Sequence, residues 1–177
     1  MAQLEAGLDH IRRSPADKGK LRLIVRRPAE DARETLDSAQ LDVDEGLVGD
    51  VWRVRGSRSV PDGSADPEAQ VTLMNARVSA LIAGDGGDWT PAGDQLYVDL
   101  DLGEDNLPAG TRLTVGNAVL EVSAKPHTGC AKFSSRYGSD AVRFVNGAAG
   151  RPLRLRGMNA RVVQGGSIRV GDWICKA

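Results

Sequence analysis

Short apolar runs separated by glycine and proline make up most of the chain. The runs predict β-strands over residues 21–27, 47–53, 71–74, 159–163 and 167–174, with an interruption in the last at Gly171-Asp172. Segments 28–41 and 75–83 predict short helices, the Pro- and Gly-containing stretch 57–67 predicts a mobile loop, and 84–88 predicts a break. Many short strands joined by glycine turns favour a mostly β fold, a closed or partly open β-barrel with a few short helices.

Residues 112–123 give the most specific local prediction, a β-hairpin turning at Gly116-Asn117. The turn sets three cross-strand pairs: Val115 with Ala118, Leu113 with Leu120, and Arg112 with Glu121. The second strand then leads towards Cys130, which we expect at a strand end. Ser139 predicts the start of a short helix over 140–145.

Composition indicates one soluble domain spanning 1–177. The chain has 177 residues and a formal net charge of -1, and no run of about 18 apolar residues predicts a membrane span. Met1-Ala-Gln-Leu-Glu-Ala-Gly has no basic, then apolar, leader pattern, so we expect a cytoplasmic protein. Two cysteines and two histidines give neither a disulfide framework nor zinc-finger spacing, which favours a reducing compartment.

Charge is concentrated around one of the two cysteines, Cys130. Between residues 125 and 156 lie seven cations and a single acid, Asp140. This excess indicates either a site for an anionic ligand or a solvated basic face. Nearby cations can stabilise a reactive thiolate, although a lone cysteine can equally be an inert small hydrophobe. Nucleic acid is a poor partner, because the cations are not interleaved with stacking aromatic residues.

Three side chains near Cys130 are candidates for its chemistry. His127 could accept the thiol proton, but a histidine after proline is more commonly a solvated loop residue, and no third catalytic residue is visible. Lys132 and Arg136 could bind phosphate or face water. Phe133 is expected to anchor the loop in the core, and Cys175 to be inert.

Six motifs, in order, resemble the MOSC domain, the family of the C-terminal domain of molybdenum cofactor sulfurases. They are Gly46-Leu-Val-Gly-Asp50, Gln70-Val-Thr-Leu73, Glu104-Asp-Asn-Leu107, Gly116, the Cys130 loop and Gly165-Gly-Ser-Ile-Arg-Val-Gly-Asp172. The resemblance covers about residues 21–174 and is to a small stand-alone bacterial-type member. It implies a pyruvate-kinase-barrel-like fold in which Cys130 carries persulfide sulfur or coordinates molybdenum in a pterin cofactor.

The resemblance also implies a set of binding residues. Asn106, His127, Lys132 and Arg136 would contact molybdopterin or another phosphate-bearing small molecule, although Asn106 in its turn more commonly bonds nearby backbone. The chain departs from the family pattern at Val51-Trp52 and at Gly129, where a proline is usual and where glycine leaves the loop more flexible.

Three functions remain open at this stage. The first is a sulfur carrier or cofactor-binding module. The pyridoxal-phosphate domain of full-length sulfurases is not part of this sequence, so pyridoxal phosphate is not expected here. The persulfide would then come from a separate cysteine desulfurase. The second is a molybdenum-cofactor-dependent reductase of N-hydroxylated compounds served by an electron-transfer partner. The third is a non-catalytic anion-binding module.

Overall fold

Seven strands of the chain close into a mixed β-barrel. A computed structural model describes residues 1–84 and 86–177. Around the barrel the order is β1 (Lys18–Arg26), β6 (Leu96–Asp99), β5 (Val71–Asn75), β9 (Met158–Gln164), β8 (Ala118–Val122), β7 (Arg112–Val115) and β11 (Trp173–Lys176), which pairs again with β1. Only β5 and β6 are parallel within this ring. The predicted mostly β barrel is confirmed, with 30% strand and 25% helix.

Smaller elements decorate the barrel. The strand β2 (Glu34–Leu36) extends the sheet beyond β1, and β3 (Ser38–Asp42), β4 (Gly46–Leu47) and β10 (Gly166–Arg169) form a separate three-stranded sheet. The helices are α1 (Ala2–Ala6), α2 (Leu8–Arg12), α3 (Trp52–Arg55), α4 (Ala76–Ala83) and α5 (Ala131–Asn146), with 3₁₀ turns at Pro67–Ala69 and Thr90–Ala92. No helix of the described residues is long and apolar enough to cross a membrane.

The core has two parts because some strands are covered on both faces. One cluster fills the barrel and includes Leu73, Leu96 and Val98, whereas a second cluster, including Met74 and Tyr97, packs between the barrel wall and the helices. Neighbouring residues of β5 and β6 therefore point into different clusters, as the alternation of side chains along a strand requires. All five residues of β5 are buried for this reason.

Several local predictions are confirmed. The hairpin of β7 and β8 has the predicted register, with Arg112 opposite Glu121, Leu113 opposite Leu120 and Val115 opposite Ala118. Helix α4 follows the strand at 71–74, and the Asn75 side chain caps it by accepting the Arg77 N–H at 2.8 Å. The strands predicted at 21–27, 159–163 and 167–174 correspond to β1, β9 and the pair β10 and β11, and segment 57–67 is irregular until the 3₁₀ turn at its end. The break predicted at 84–88 includes Asp85, which lies outside the described residues.

Two predictions for the N-terminal half are wrong. Segment 28–41 is not a helix, because Glu34–Leu36 pairs with β1 and Ser38–Asp42 pairs with β10, and both partners lie outside the segment. Segment 47–53 is not a continuous strand either. The Asp50 carboxylate accepts the Trp52 N–H at 3.0 Å, and this bond turns the chain into α3 after only two strand residues.

The surroundings of Cys130 also differ from the prediction. Cys130 is the N-cap residue of α5 rather than the end of a strand, and this helix begins at Ala131 rather than near residue 140. Gly138, with φ of 87°, kinks the helix in its middle. Glycine adopts this backbone conformation without the steric cost that a side chain would bring. The helical pattern visible at 140–145 is thus only the second half of a longer element.

Candidate functional site

A cavity of about 590 Å³ opens beside the barrel where the Cys130 loop meets the end of β1. Its walls come from segments 27–33, 51–55, 92–93 and 125–136, together with Ala69, Thr72, Arg156 and Asn159. Cys130 lines this cavity and is exposed. The volume lies in the roughly 300 to 1,000 Å³ range of small-molecule sites.

The loop that carries Cys130 is fixed to the body at both ends. The Asn159 amide donates to the Lys125 carbonyl at 3.1 Å and to the Pro126 carbonyl at 3.3 Å. The Asn146 side chain accepts the Gly129 N–H at 2.9 Å and donates to the Gly129 carbonyl at 3.0 Å. Because both backbone groups of Gly129 are bonded, this glycine is held in place despite its intrinsic freedom.

Gly129 also meets a steric requirement at this point. A Cβ atom there would lie 3.1 Å from Val145 Cγ2 and 3.3 Å from Asn146 Nδ2, so a side chain would press on the end of α5. Phe133, one turn into the helix, is fully buried, as predicted, and packs against Tyr137 with ring centroids 5.1 Å apart. The loop is therefore clamped between the barrel and α5.

A buried charge network lies behind the cysteine loop. The fully buried carboxylate of Asp94 contacts His127 Nε2 at 2.9 Å and accepts from Arg156 Nη1 at 2.6 Å. Arg156 also donates to the Ala92 carbonyl and lies 4.8 Å from the centroid of the Phe133 ring. The favoured interpretation of His127 as a solvated loop residue is wrong, since its side chain is only 20% exposed and is bonded to Asp94.

The network shifts the pKa of both titratable members downwards. Burial opposes ionisation of Asp94, but the charge of Arg156 and the bond from His127 outweigh it and lower the pKa to about 2. Burial and the charge of Arg156 also lower the pKa of His127, against the opposing effect of Asp94. The stable state near neutral pH is therefore a charged Asp94 between a charged Arg156 and a neutral His127.

Cations dominate the wall of the cavity. Seven line it: Arg27, Arg33, Arg55, Lys125, Lys132, Arg136 and Arg156. Lys132 and Arg136 had been expected from sequence, and both lie there, but each contacts an acid of the loop after β1. Lys132 Nζ is 3.2 Å from Glu30 Oε1, and Arg136 Nη2 is 3.2 Å from Asp31 Oδ1. Neither side chain simply faces water.

Arg27, Arg33 and Arg55 were missed, because they precede the basic segment by many residues. Arg27 is held by Asp50 through a buried pair of hydrogen bonds, Nε to Oδ2 at 2.9 Å and Nη2 to Oδ1 at 2.8 Å. Asp50 therefore does more than form a turn: it fixes a cation at the cavity. The adjacent arginines Arg26-Arg27 at the end of a predicted strand were the available sequence signal.

Asn106 is not brought to this cavity. Its amide donates to the carbonyls of Ala16 and Asp101 at 2.8 Å each, and its oxygen accepts from Lys176. Arg143, Arg151 and Arg154 of the basic segment do not line it either, and Arg154 instead bonds the carbonyls of Leu102 and Leu107. Cys175 pairs within the barrel and Asp172 accepts the Arg169 N–H in a turn.

Sequence comparison decides the family. The MOSC domain family model matches residues 63–174, more than half of the chain. The chain belongs to the MOSC domain family. No curated protein matches it in sequence.

Solved structures agree with this MOSC domain in fold. The YuaD protein from Bacillus subtilis aligns with a TM-score of 0.64 and 18% identity over 89% of this chain and 94% of YuaD. YiiM from Escherichia coli aligns with a TM-score of 0.56 and 16% identity over 89% and 69% of the two chains. YiiM from Geobacillus stearothermophilus gives 0.56 and 15% over 92% and 73%.

The wall of this cavity combines one exposed thiol with cationic side chains, the residue types that a phosphate-bearing, sulfur-ligated group would require. Cys130 supplies one soft sulfur, and the described residues hold no cluster of three or more His, Cys, Asp or Glu side chains that would form a metal site of protein ligands alone. The Nε atoms of Arg33 and Arg156, both in cavity-lining residues, are buried without a hydrogen-bond partner. The cationic side chains that line the cavity suit an anionic ligand.

Proposed function

We propose that this MOSC domain binds the pterin cofactor of molybdenum in the 590 Å³ cavity and offers Cys130 as its single sulfur ligand or sulfur carrier. The observation that carries the proposal is the presence of one exposed thiol on a wall with seven cations. A thiolate is the ligand that soft metals and sulfane sulfur require, and the cations match a phosphate. Both cysteines are free thiols, which suits a reducing compartment, and we infer the cytoplasm.

Each part of the site has a role in this proposal. The clamp of Asn146 and Asn159 orients the cysteine loop, and the buried Asp94 carboxylate fixes Arg156 and His127 behind it. His127 also lines the cavity, and its lowered pKa keeps the imidazole in the neutral form that a proton acceptor requires. When bound, the cofactor supplies a molybdenum centre for sulfur acceptance or two-electron redox chemistry.

In the sulfur-carrier form, the chemistry at Cys130 is a thiol–persulfide exchange. The Cys130 thiolate attacks the outer sulfur of a persulfide on a donor protein such as a cysteine desulfurase. A sulfur–sulfur bond forms at Cys130, the donor's sulfur–sulfur bond breaks, and the donor leaves as a thiolate. The persulfide on Cys130 then faces the cavity.

A second candidate is a molybdenum-dependent reductase of N-hydroxylated compounds, which the pairing of His127 with Asp94 favours. Reduction of an N–O bond consumes protons, and a histidine of lowered pKa beside the cavity can relay them. Electrons would come from a partner protein. In this form Cys130 stays a permanent metal ligand and takes up no persulfide.

Molybdenum analysis and intact mass of Cys130→Ser distinguish these functions. Wild-type protein from a host that makes the cofactor should contain molybdenum, and Cys130→Ser should lose it, whereas Cys175→Ser serves as a control that keeps it. A mass gain of one sulfur on exposure to a persulfide donor, absent in Cys130→Ser, indicates the carrier. Full metal binding and full persulfide loading in Cys130→Ser would contradict the proposal and leave a simple anion-binding module.

A further inference from the structure

The seven cavity cations differ in whether a carboxylate already neutralises them. Five have a carboxylate within 4.0 Å: Arg27, Lys125, Lys132, Arg136 and Arg156. Within the described residues, Arg33 and Arg55 have none. The cavity cations without a carboxylate partner therefore lie outside the basic segment 125–156.

Over residues 1–84 and 86–177, Arg33 makes one hydrogen bond and keeps one buried donor without a partner. Its Nη1 donates to the neighbouring Ala32 carbonyl at 2.6 Å, while its Nε is buried with no partner. A Cβ atom on Gly93 would lie 3.5 Å from both Arg33 Nη2 and Arg136 Nη1, so two guanidinium groups converge on the same point. Arg27 reaches this point as well, since its Nη1 donates to the Gly93 carbonyl at 3.1 Å.

Arg55 stands at the C-terminal end of α3, exposed on the cavity wall. Its guanidinium makes no hydrogen bond within the described part of the chain. Partial desolvation of its guanidinium and the like charge of Arg27 lower the pKa of Arg55, against the opposing charges of Asp50 and Glu30. Desolvation and the charges of Arg136 and Arg27 lower the pKa of Arg33, against the opposing charge of Asp31. An anion bound beside either guanidinium would favour its charged form.

We propose that Arg33 and Arg55, the cavity arginines without a carboxylate partner, are the principal phosphate-binding cations, and that Lys132 and Arg136 contribute less because each is already paired with Glu30 or Asp31. This inference rests on the proposed function. A guanidinium presents a planar fork that matches two oxygens of a phosphate.

Calorimetric titration with inorganic phosphate at low ionic strength tests the assignment. R33Q/R55Q should weaken phosphate binding about tenfold or more, the loss expected for charge-assisted hydrogen bonds. K132Q/R136Q should weaken it by about threefold or less. R33K/R55K, which keeps the charge but not the bidentate geometry, should fall between wild type and R33Q/R55Q. R13Q/R22Q removes two exposed cations that do not line the cavity and controls for net charge.

The outcomes separate this inference from the proposed function. An equal or larger loss in K132Q/R136Q, or no phosphate binding by wild type, would overturn the assignment. If molybdenum retention and persulfide loading depend on Cys130 while R33Q/R55Q binds phosphate normally, the assignment of Arg33 and Arg55 fails and the proposed function stands. If wild type holds neither molybdenum nor persulfide but phosphate binding still depends on Arg33 and Arg55, the function fails and the assignment stands. Circular dichroism of each variant confirms that it is folded.

Discussion

Replacing Asp94 with asparagine should destabilise the domain more than any exposed charge substitution. The carboxylate is fully buried and contacts Arg156 at 2.6 Å and His127 at 2.9 Å, so its loss leaves a buried guanidinium without its counter-ion. Breaking a buried ion pair from one side typically costs about 3 to 5 kcal/mol of unfolding free energy. The pKa of Asp94 falls from 3.8 to about 2, which means that the folded protein favours the charged carboxylate by roughly 2 to 3 kcal/mol.

The same network predicts how stability depends on pH. Since the pKa of Asp94 is lower in the folded protein, the unfolded chain takes up the proton first as pH falls. The stabilisation of the folded protein by charged Asp94 is therefore complete above about pH 4 and is lost between pH 4 and about 2. The pKa of His127 is lowered too, so its contribution also has this sign and declines as pH falls below about 6.5. Asp94→Asn should flatten the limb below pH 4.

Urea unfolding across this pH range measures both effects, with Asp99→Asn as the control. Asp99 forms a similar ion pair with Arg77, Nε to Oδ1 at 2.7 Å, but their side chains are 32% and 19% exposed. Partly solvated pairs contribute about 1 kcal/mol or less. A loss of under about 1 kcal/mol in Asp94→Asn, or an unchanged acid limb, would refute the reasoning about the buried network.

Elements whose determinants are local could be predicted from sequence. The register of the hairpin at 112–123 follows from a two-residue turn and the facing side chains, and α4 follows from the cap at Asn75. The helix predicted over 28–41 was wrong because β2 pairs with β1, and β3 pairs with β4 and with β10, all of which lie outside the segment. In segment 28–41 the hydrogen bonds to distant strands outweighed the helix-like local sequence pattern.

The residues of the candidate site also divide into those that local sequence could predict and those that depend on long-range packing. Cys130, His127, Lys132 and Arg136 fall within one short segment, so their proximity was visible in the sequence and the structure brings them to one cavity. Asp94, which bonds His127 and Arg156, follows Gly93 and looks like an ordinary turn residue in the sequence. Its burial depends on how segment 92–95 packs against β1 and the cysteine loop, which no local pattern encodes.

The acids beside the cavity and the clamp on its loop give two further predictions. Glu30→Gln/Asp31→Asn should strengthen phosphate binding several-fold by freeing the two cations of α5, and asparagine tolerates the φ of 58° at residue 31; unchanged or weaker calorimetric affinity would contradict this. Asn146→Ala removes both hydrogen bonds to Gly129, so we expect about 1 to 2 kcal/mol of lost stability and a changed rate of Cys130 alkylation by iodoacetamide relative to Cys175. Asn117→Ala, which removes one exposed bond to Ser167, is the matched control, and it should leave both quantities near wild type. If Asn146→Ala behaves like Asn117→Ala, the loop is positioned by packing of Val145 and Phe133 rather than by the amide clamp.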